Sequence, residues 1–267
     1  MLFNTTFNKL LYESSGKEFL HSFFTHQTGD ILICYEDSDL NQMILRDFDQ
    51  YNHRLLLHNI TNNKLLVDWT YKYKKHIPKK YGGVDQPDLD VNLNRRPSND
   101  DRVRMFRYNT ARWFRKIVSL SEASKIAADV LVFCDADIII KKQLDQIILS
   151  SPCADKDYIY HMGKDRLIRD HGVESGFMVF NLQHNGAKFI NQVIQCYTSG
   201  DFLKYKRWDD GYIFAQIVRQ CSKQFQTLDV VQDHNNHDGH VVKHGIFAEY
   251  IDHFKGRHKN LEGIKWR

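Results

Sequence analysis

Residues 128–142 read "ADVLVFCDADIIIKK", an apolar run broken by two aspartates, Asp135 and Asp137. Valine, leucine, phenylalanine and isoleucine in such density predict a strand buried on both faces. An ionised carboxylate inside such a strand would lose its hydration without compensation. The strand is therefore expected to stop at Asp135. In an open α/β sheet, ligands bind outside the carboxyl ends of the strands, so a strand ending "LVFCD" delivers its last residues to that edge. Residues two apart on an extended chain share a face, which predicts that Asp135 and Asp137 address one site. Two converging carboxylates repel, and a hard divalent cation, Mn²⁺ or Mg²⁺, removes that cost while keeping coordination positions for a phosphate-bearing ligand. The plain alternative is that Asp135 caps a turn and Asp137 is solvated. The aspartate spacing alone does not decide between them.

The remaining periodicities set the fold class. Residues 5–26 place Leu10, Leu11, Phe19, Leu20, Phe23 and Phe24 at helical spacing behind a very short first strand, and Ser14, Ser15 and Gly16 weaken the middle of that helix. "DILICYED" (30–37) and "HRLLLHNI" (53–60) read as strands. From about 68 to 102 the pattern dissolves into aromatic, basic and turn residues, a loop or lid in expectation. A helical period returns over 102–128, ahead of the aspartate-bearing strand. Beyond that strand, "KDYIYHMG" and "SGFMVFNL" predict strands, and "GAKFINQVIQCYTSGDFL" and "DDGYIFAQIVRQCSK" predict amphipathic helices. Alternating helices and buried strands indicate an α/β layer fold. No linker or repeat interrupts the chain, so residues 1–267 are expected to form one domain.

Composition excludes several function classes. The 37 basic and 33 acidic residues are spread along the chain, which argues against a nucleic-acid partner even though "YKYKKHIPKK" (71–80) interleaves aromatics with lysines. No apolar run approaches the roughly 20 residues needed to cross a bilayer, and the N-terminus lacks a secretory pattern. Cys34, Cys134, Cys153, Cys196 and Cys221 are scattered singly, and an odd number cannot all pair within one chain. A soluble, cytoplasmic protein with reduced thiols is the expectation. Cys134, one residue inside the strand end, reads as a small apolar filler.

The C-terminal stretch "YIDHFKGRHKN" (250–260) supplies what the aspartates lack. His253, Gly256 and Lys259 form H-x-x-G-x-x-K. A neutral imidazole can complete a carboxylate metal site, a glycine lets backbone approach a diphosphate, and a lysine brings a phosphate-binding charge. Other conspicuous residues have competing readings. His234, His237, His240 and His244 could form a separate zinc site, but without cysteine or an H-E-x-x-H order they read better as turn histidines around Gly239. Arg95, Arg96, Arg102 and Arg104 are either a phosphate clamp or exposed loop residues. Trp69, Trp113 and Trp266 read as packing residues, whereas Trp208 precedes an aspartate pair and has a pocket role as its alternative.

Four ordered pieces, "VLVFCDAD" (130–137), "ESGFMVFNLQ" (174–183), "WDDGYIFAQ" (208–216) and "HFKGRHK" (253–259), resemble the GT-A glycosyltransferases. Among these the likeness is to the retaining group that includes glycogenin and the bacterial lipopolysaccharide galactosyltransferases. The resemblance implies a Rossmann-like GT-A domain with a central mixed sheet flanked by helices. It implies a nucleotide-binding half at about 1–140 and an acceptor-binding half at about 141–267. It implies transfer of a sugar from a nucleotide-diphosphate donor, UDP-sugar first, to a glycan, lipid-linked or protein hydroxyl, with retention. Asp135, Asp137 and His253 would hold Mn²⁺ or Mg²⁺, and Gly256 and Lys259 would meet the diphosphate. Glu174 and Ser175 would lie near the transferred sugar, and Asp209 and Asp210 beside the reacting centre. Thr5, Thr6 and Phe7 would lie near the nucleobase, with Arg112 and Lys116 as phosphate or sugar contacts. Asn260, Leu261 and Asp210 depart from the family's usual residues. An inverting enzyme using Asp209 or Asp210 as base, or a nucleotidyl- or phosphoryl-processing enzyme, is the alternative.

Overall fold

The structure, a computed structural model, describes residues 1–86, 98–233 and 240–254. Its strands are β1 (Leu2–Thr6), β2 (Asp30–Tyr35), β3 (Leu55–Asn59), β4 (Val130–Cys134), β5 (Ile138–Ile140), β6 (Tyr158–His161), β7 (Glu174–Asn181), β8 (Thr227–Asp229) and β9 (Ile251–His253). Seven of them form one sheet in the order β3-β2-β1-β4-β7-β6-β8, and β5 pairs with β9 in a separate ribbon. β1 to β4 run parallel, β7 is antiparallel to both β4 and β6, and β8 is parallel to β6. The mixed α/β sheet flanked by helices matches the fold class expected from the sequence.

β4 shows why the run at 130–134 had to be a central strand. All five of its residues are buried. Leu131 and Phe133 enter the core on one face, while Val130, Val132 and Cys134 enter the core on the other, the period of two that a pleated strand imposes. The first core receives Phe114, Ile117, Val118 and Leu120 of the helix Thr110–Ile126, together with the helices Gly186–Ser199 and Asp210–Gln220. The second receives Phe19, Leu20, Phe23 and Phe24 of the helix Lys17–His26 and the β5–β9 ribbon.

Several elements differ from the sequence expectation. The weakness at Ser14–Gly16 appears as a π-helical stretch, Tyr12–Gly16, where a Cβ on Gly16 would come within 3.3 Å of the Phe7 ring. The helical period at 102–128 is two helices, Asn99–Tyr108 and Thr110–Ile126, divided at Asn109. The pattern loss from about 68 is only partial. Lys64–Lys72 is a helix capped by Asn63, and its Trp69 stacks on Phe114 with ring centroids 4.1 Å apart. Tertiary burial of that one face outweighs the poor local pattern. The three-residue strands β8 and β9 carry too few residues for any periodicity to announce them. Among the described residues no helix is long and apolar enough to cross a membrane.

Candidate functional site

The chain winds outward from β1 through β2 to β3, then returns to place β4 on the other side of β1. Such a reversal leaves an open crevice at the carboxyl ends of the two parallel neighbours. Thr5, Thr6 and Phe7 lie at the end of β1, and Asp135 follows the last residue of β4.

Asp135 leaves the sheet with its amide still bonded to the Gly176 carbonyl of β7, at 2.7 Å. The expectation that Asp135 and Asp137 share a face of an extended chain is corrected here. Residues 135–137 turn, with the Ile138 amide bonded to the Asp135 carbonyl at 3.1 Å, so that the chain can enter β5. Convergence comes from that turn together with β9. Register pairs Ile138 with His253, and the Phe254 amide donates to the Asp137 carbonyl at 3.0 Å. His253 Nε2 then sits 3.0 Å from Asp137 Oδ1. One ligand atom each from Asp135, Asp137 and His253 lies within 4.8 Å of the others.

The His253 ring is fully buried, and it fits because residue 176 is glycine. A Cβ there would lie 2.4 Å from His253 Cε1 and about 3 Å from both ring nitrogens. On its Nδ1 side the ring faces Glu174, with Oε1 3.6 Å away. Glu174 is 1% exposed and is held through Oε2 by Arg166 Nη2 and His240 Nε2, each at 3.2 Å. Glu174, His240 and His253 thus form a second group whose ligand atoms lie within 4.8 Å of one another.

Lys116 projects from the helix Thr110–Ile126 into the space beneath Asp135. Its Nζ is 2.8 Å from Asp135 Oδ1 and 2.7 Å from Asp210 Oδ2, and it donates to the Ser175 carbonyl at 3.1 Å and to Ser175 Oγ at 3.3 Å. Burial alone would lower its pKa, but the charges of Asp135 and Asp210 outweigh that and raise it above the ordinary lysine value. Asp209, next in sequence to Asp210, is engaged elsewhere. It accepts two bonds from the Arg207 guanidinium at 2.8 Å and caps the helix Asp210–Gln220 by accepting from the Tyr212 amide. Burial pushes its carboxyl up despite the Arg207 charge.

The other expected residues divide. Thr5 is fully buried and its hydroxyl has no hydrogen-bond partner among the described residues, whereas the Thr6 hydroxyl turns back to the Cys34 carbonyl at 3.0 Å. Phe7 is buried against Tyr12. Arg112 is exposed, with its guanidinium over the Trp113 ring. Arg102 and Arg104 are exposed on the helix Asn99–Tyr108. Trp208 is buried, and its Nε1 donates to the Tyr205 carbonyl. Gly256 and Lys259 lie outside the described residues, as do Arg95, Arg96, His234, His237, Gly239 and Trp266. Arg166, Arg207 and Gly176 join the site without having been singled out by the sequence, and His240, read there as a turn histidine, joins it beside Glu174. Gly176 was within reach, because it stands two residues after Glu174 in a strand with no turn to explain a glycine.

The donor set of two carboxylates and one imidazole, oxygen-rich with a single nitrogen, suits Mn²⁺ or Mg²⁺. The space left for the imidazole by Gly176 fits the same conclusion. No protein-family model matches the sequence, and no curated protein matches it. Solved structures do match the fold. Mouse xyloside xylosyltransferase 1 in its apo form aligns with a TM-score of 0.50 at 10% identity, over 85% of this chain and 84% of that one. An active-site mutant of LgtC aligns with a TM-score of 0.53 at 9% identity, over 96% and 88% of the two chains. LgtC is a galactosyltransferase that has been crystallised with donor and acceptor sugar analogs, and that complex aligns with a TM-score of 0.46 at 9% identity, over 86% and 73%. At these identities the first two likenesses establish the fold, which is the GT-A fold of nucleotide-diphospho-sugar transferases.

Proposed function

We propose that this chain is a metal-dependent glycosyltransferase that moves a sugar from a nucleotide-diphosphate donor, with UDP-sugars the first to test, to a hydroxyl acceptor with retention. The observation that carries this reading is the meeting of Asp135, Asp137 and His253 within 4.8 Å at the carboxyl end of β4, the strand beside β1. Two of these residues follow β4 and the third arrives on β9, more than a hundred residues later. A structural ion pair would not require three convergent metal-type donors at a ligand-binding edge. The fold neighbour mouse xyloside xylosyltransferase 1 agrees with sugar transfer.

In this reading Asp135, Asp137 and His253 hold Mn²⁺ or Mg²⁺. When bound, the cation supplies positive charge where a departing nucleoside diphosphate develops negative charge. Thr5, Thr6 and Phe7 flank the nucleobase side of the crevice, and Gly256 and Lys259 contribute to the diphosphate contact. Ser175 lies beside the transferred sugar. Lys116 fixes the Asp135 and Asp210 carboxylates and offsets their mutual repulsion. An inverting mechanism needs a general base to accept the proton of the acceptor hydroxyl, whereas with retention the departing diphosphate oxygen would take that proton. Asp209 is bound by Arg207 and a helix amide, and Asp210 is ion-paired with buried Lys116. Those pairings favour retention over an inverting mechanism through either residue. Five free cysteines, four of them buried, support a reducing cytoplasmic setting. A glycan, a lipid-linked sugar or a protein hydroxyl would serve as acceptor.

The test is a panel of nucleotide sugars incubated with protein and Mn²⁺, with both products identified. Release of intact nucleoside diphosphate supports the proposal. Release of a nucleoside monophosphate and a sugar phosphate would instead indicate nucleotidyl chemistry, and no turnover of any donor would count against enzymatic sugar transfer.

A further inference from the structure

We propose that Glu174 is a positioning residue that acts through His253. Its buried carboxylate draws the imidazole proton to Nδ1, so that the Nε2 lone pair faces the cation held with Asp135 and Asp137. This rests on the cation-binding reading above and makes it specific to this chain.

The geometry points to it from three sides. His253 lies between two carboxylates, with Asp137 3.0 Å from Nε2 and Glu174 3.6 Å from Nδ1. A ring nitrogen can ligate a cation only through an unprotonated lone pair, and the proton must then sit on the other nitrogen, where an acceptor stabilises it. Glu174 Oε1 is the carboxylate on that side. At 3.6 Å it is beyond hydrogen-bond range, and a ring displacement of about half an ångström would bring it within range. The same Oε1 accepts the Gly176 amide at 3.3 Å, which fixes the carboxylate plane to β7.

The rest of Glu174 is held so that it cannot swing away. Arg166 Nη2 and His240 Nε2 both approach Oε2 at 3.2 Å, and Arg166 is itself tied to the Gly172 carbonyl at 3.3 Å. His240 Nδ1 accepts the Val242 amide at 3.4 Å, which leaves its proton on Nε2, 3.2 Å from Glu174 Oε2. With Oε2 accepting from the Arg166 guanidinium and lying beside the His240 ring, Glu174 turns Oε1 toward His253. The same contacts argue against Glu174, His240 and His253 serving as a second cation site. With Nδ1 accepting from the Val242 amide, His240 Nε2 carries a proton rather than a lone pair.

The test is Mn²⁺ titration calorimetry on the full chain and its Asp137→Ala and Glu174→Gln variants, with ¹⁵N imidazole spectra of Mg²⁺-saturated protein to read the His253 tautomer. The expected result is one site in the wild type, no binding in Asp137→Ala, and a loss of affinity of about 10- to 100-fold in Glu174→Gln. His253 should be protonated at Nδ1 in the wild type, a readout that does not depend on any variant folding. Wild-type affinity in folded Glu174→Gln, or a His253 ligating through Nδ1, overturns the role of Glu174 while leaving the cation site standing. A fall from two sites to one in Glu174→Gln overturns it too, by making Glu174 a ligand. Absence of Mn²⁺ binding in the wild type, or equal binding in Asp137→Ala, removes the cation reading and this inference with it.

Discussion

Replacing Gly176 with alanine adds one methyl group at the most confined point of the site. The backbone there lies outside the left-handed region, so alanine is conformationally allowed and the effect is purely steric. The added carbon would stand 2.4 Å from His253 Cε1 and 2.9 and 3.0 Å from the two ring nitrogens. Nonbonded carbon atoms rest at about 3.5–4.0 Å, so the ring must retreat by about 1 Å. Overpacking of this kind costs about 1–3 kcal/mol, a drop of roughly 2–12 °C in melting temperature for a chain near this size. Mn²⁺ binding should weaken as well, because metal–ligand distances are held to within about 0.2 Å and the ring has moved by about 1 Å. Mn²⁺ affinity by calorimetry, read beside a thermal melt of the same sample, separates the two effects. A folded Gly176→Ala protein that binds Mn²⁺ as tightly as the wild type would refute the placement of the His253 ring against β7.

Three further outcomes follow from the same geometry. Lys116→Met should destabilise by about 3–5 kcal/mol in chemical denaturation, because it leaves the Asp135 and Asp210 carboxylates uncompensated; adding Asp210→Asn should recover part of that loss, and no recovery would deny the pairing. His161 is fully buried with no hydrogen-bond partner among the described residues, and burial lowers its pKa from 6.5 to about 3. Below pH 6.5 the unfolded chain takes up a proton that the folded chain refuses, so wild-type stability should fall by about 2 kcal/mol from pH 7 to pH 5 relative to His161→Leu; parallel pH profiles for the two proteins would contradict this. Asp137→Ala should melt close to the wild type and His253→Ala, which empties a buried ring site, below it; both should stay folded yet lose Mn²⁺-dependent donor turnover, and retained turnover in either would remove that residue from the cation site.

The readable parts of this chain are those in which one local pattern had one physical cause. The run 130–134 announces β4 because a central strand needs apolar residues on both faces, and the aspartates after it mark where burial stops. Lys116 sits on the inward face of a helix, as its place among Phe114, Ile117 and Leu120 suggests. Its destination was not legible, since Asp210 approaches from a different helix. Glu174 shows the same limit. The sequence places it beside the sugar, but the partners that hold it, Arg166 and His240, stand in segments whose packing no local pattern reveals. β9 was hidden because three residues have no period, and they become a strand only against β5. The turn at 135–137 was missed because strand alternation was carried past the point where the strand ends.

The central claim is that Asp135, Asp137 and His253 hold a cation needed for sugar transfer from a nucleotide donor. The most direct measurement is UDP release from a panel of UDP-sugars by the wild type, with Mn²⁺ and with chelator. Release that requires Mn²⁺, stops in chelator and is absent in Asp137→Ala is the predicted result. Equal release in chelator, or in a folded Asp137→Ala protein, would contradict it.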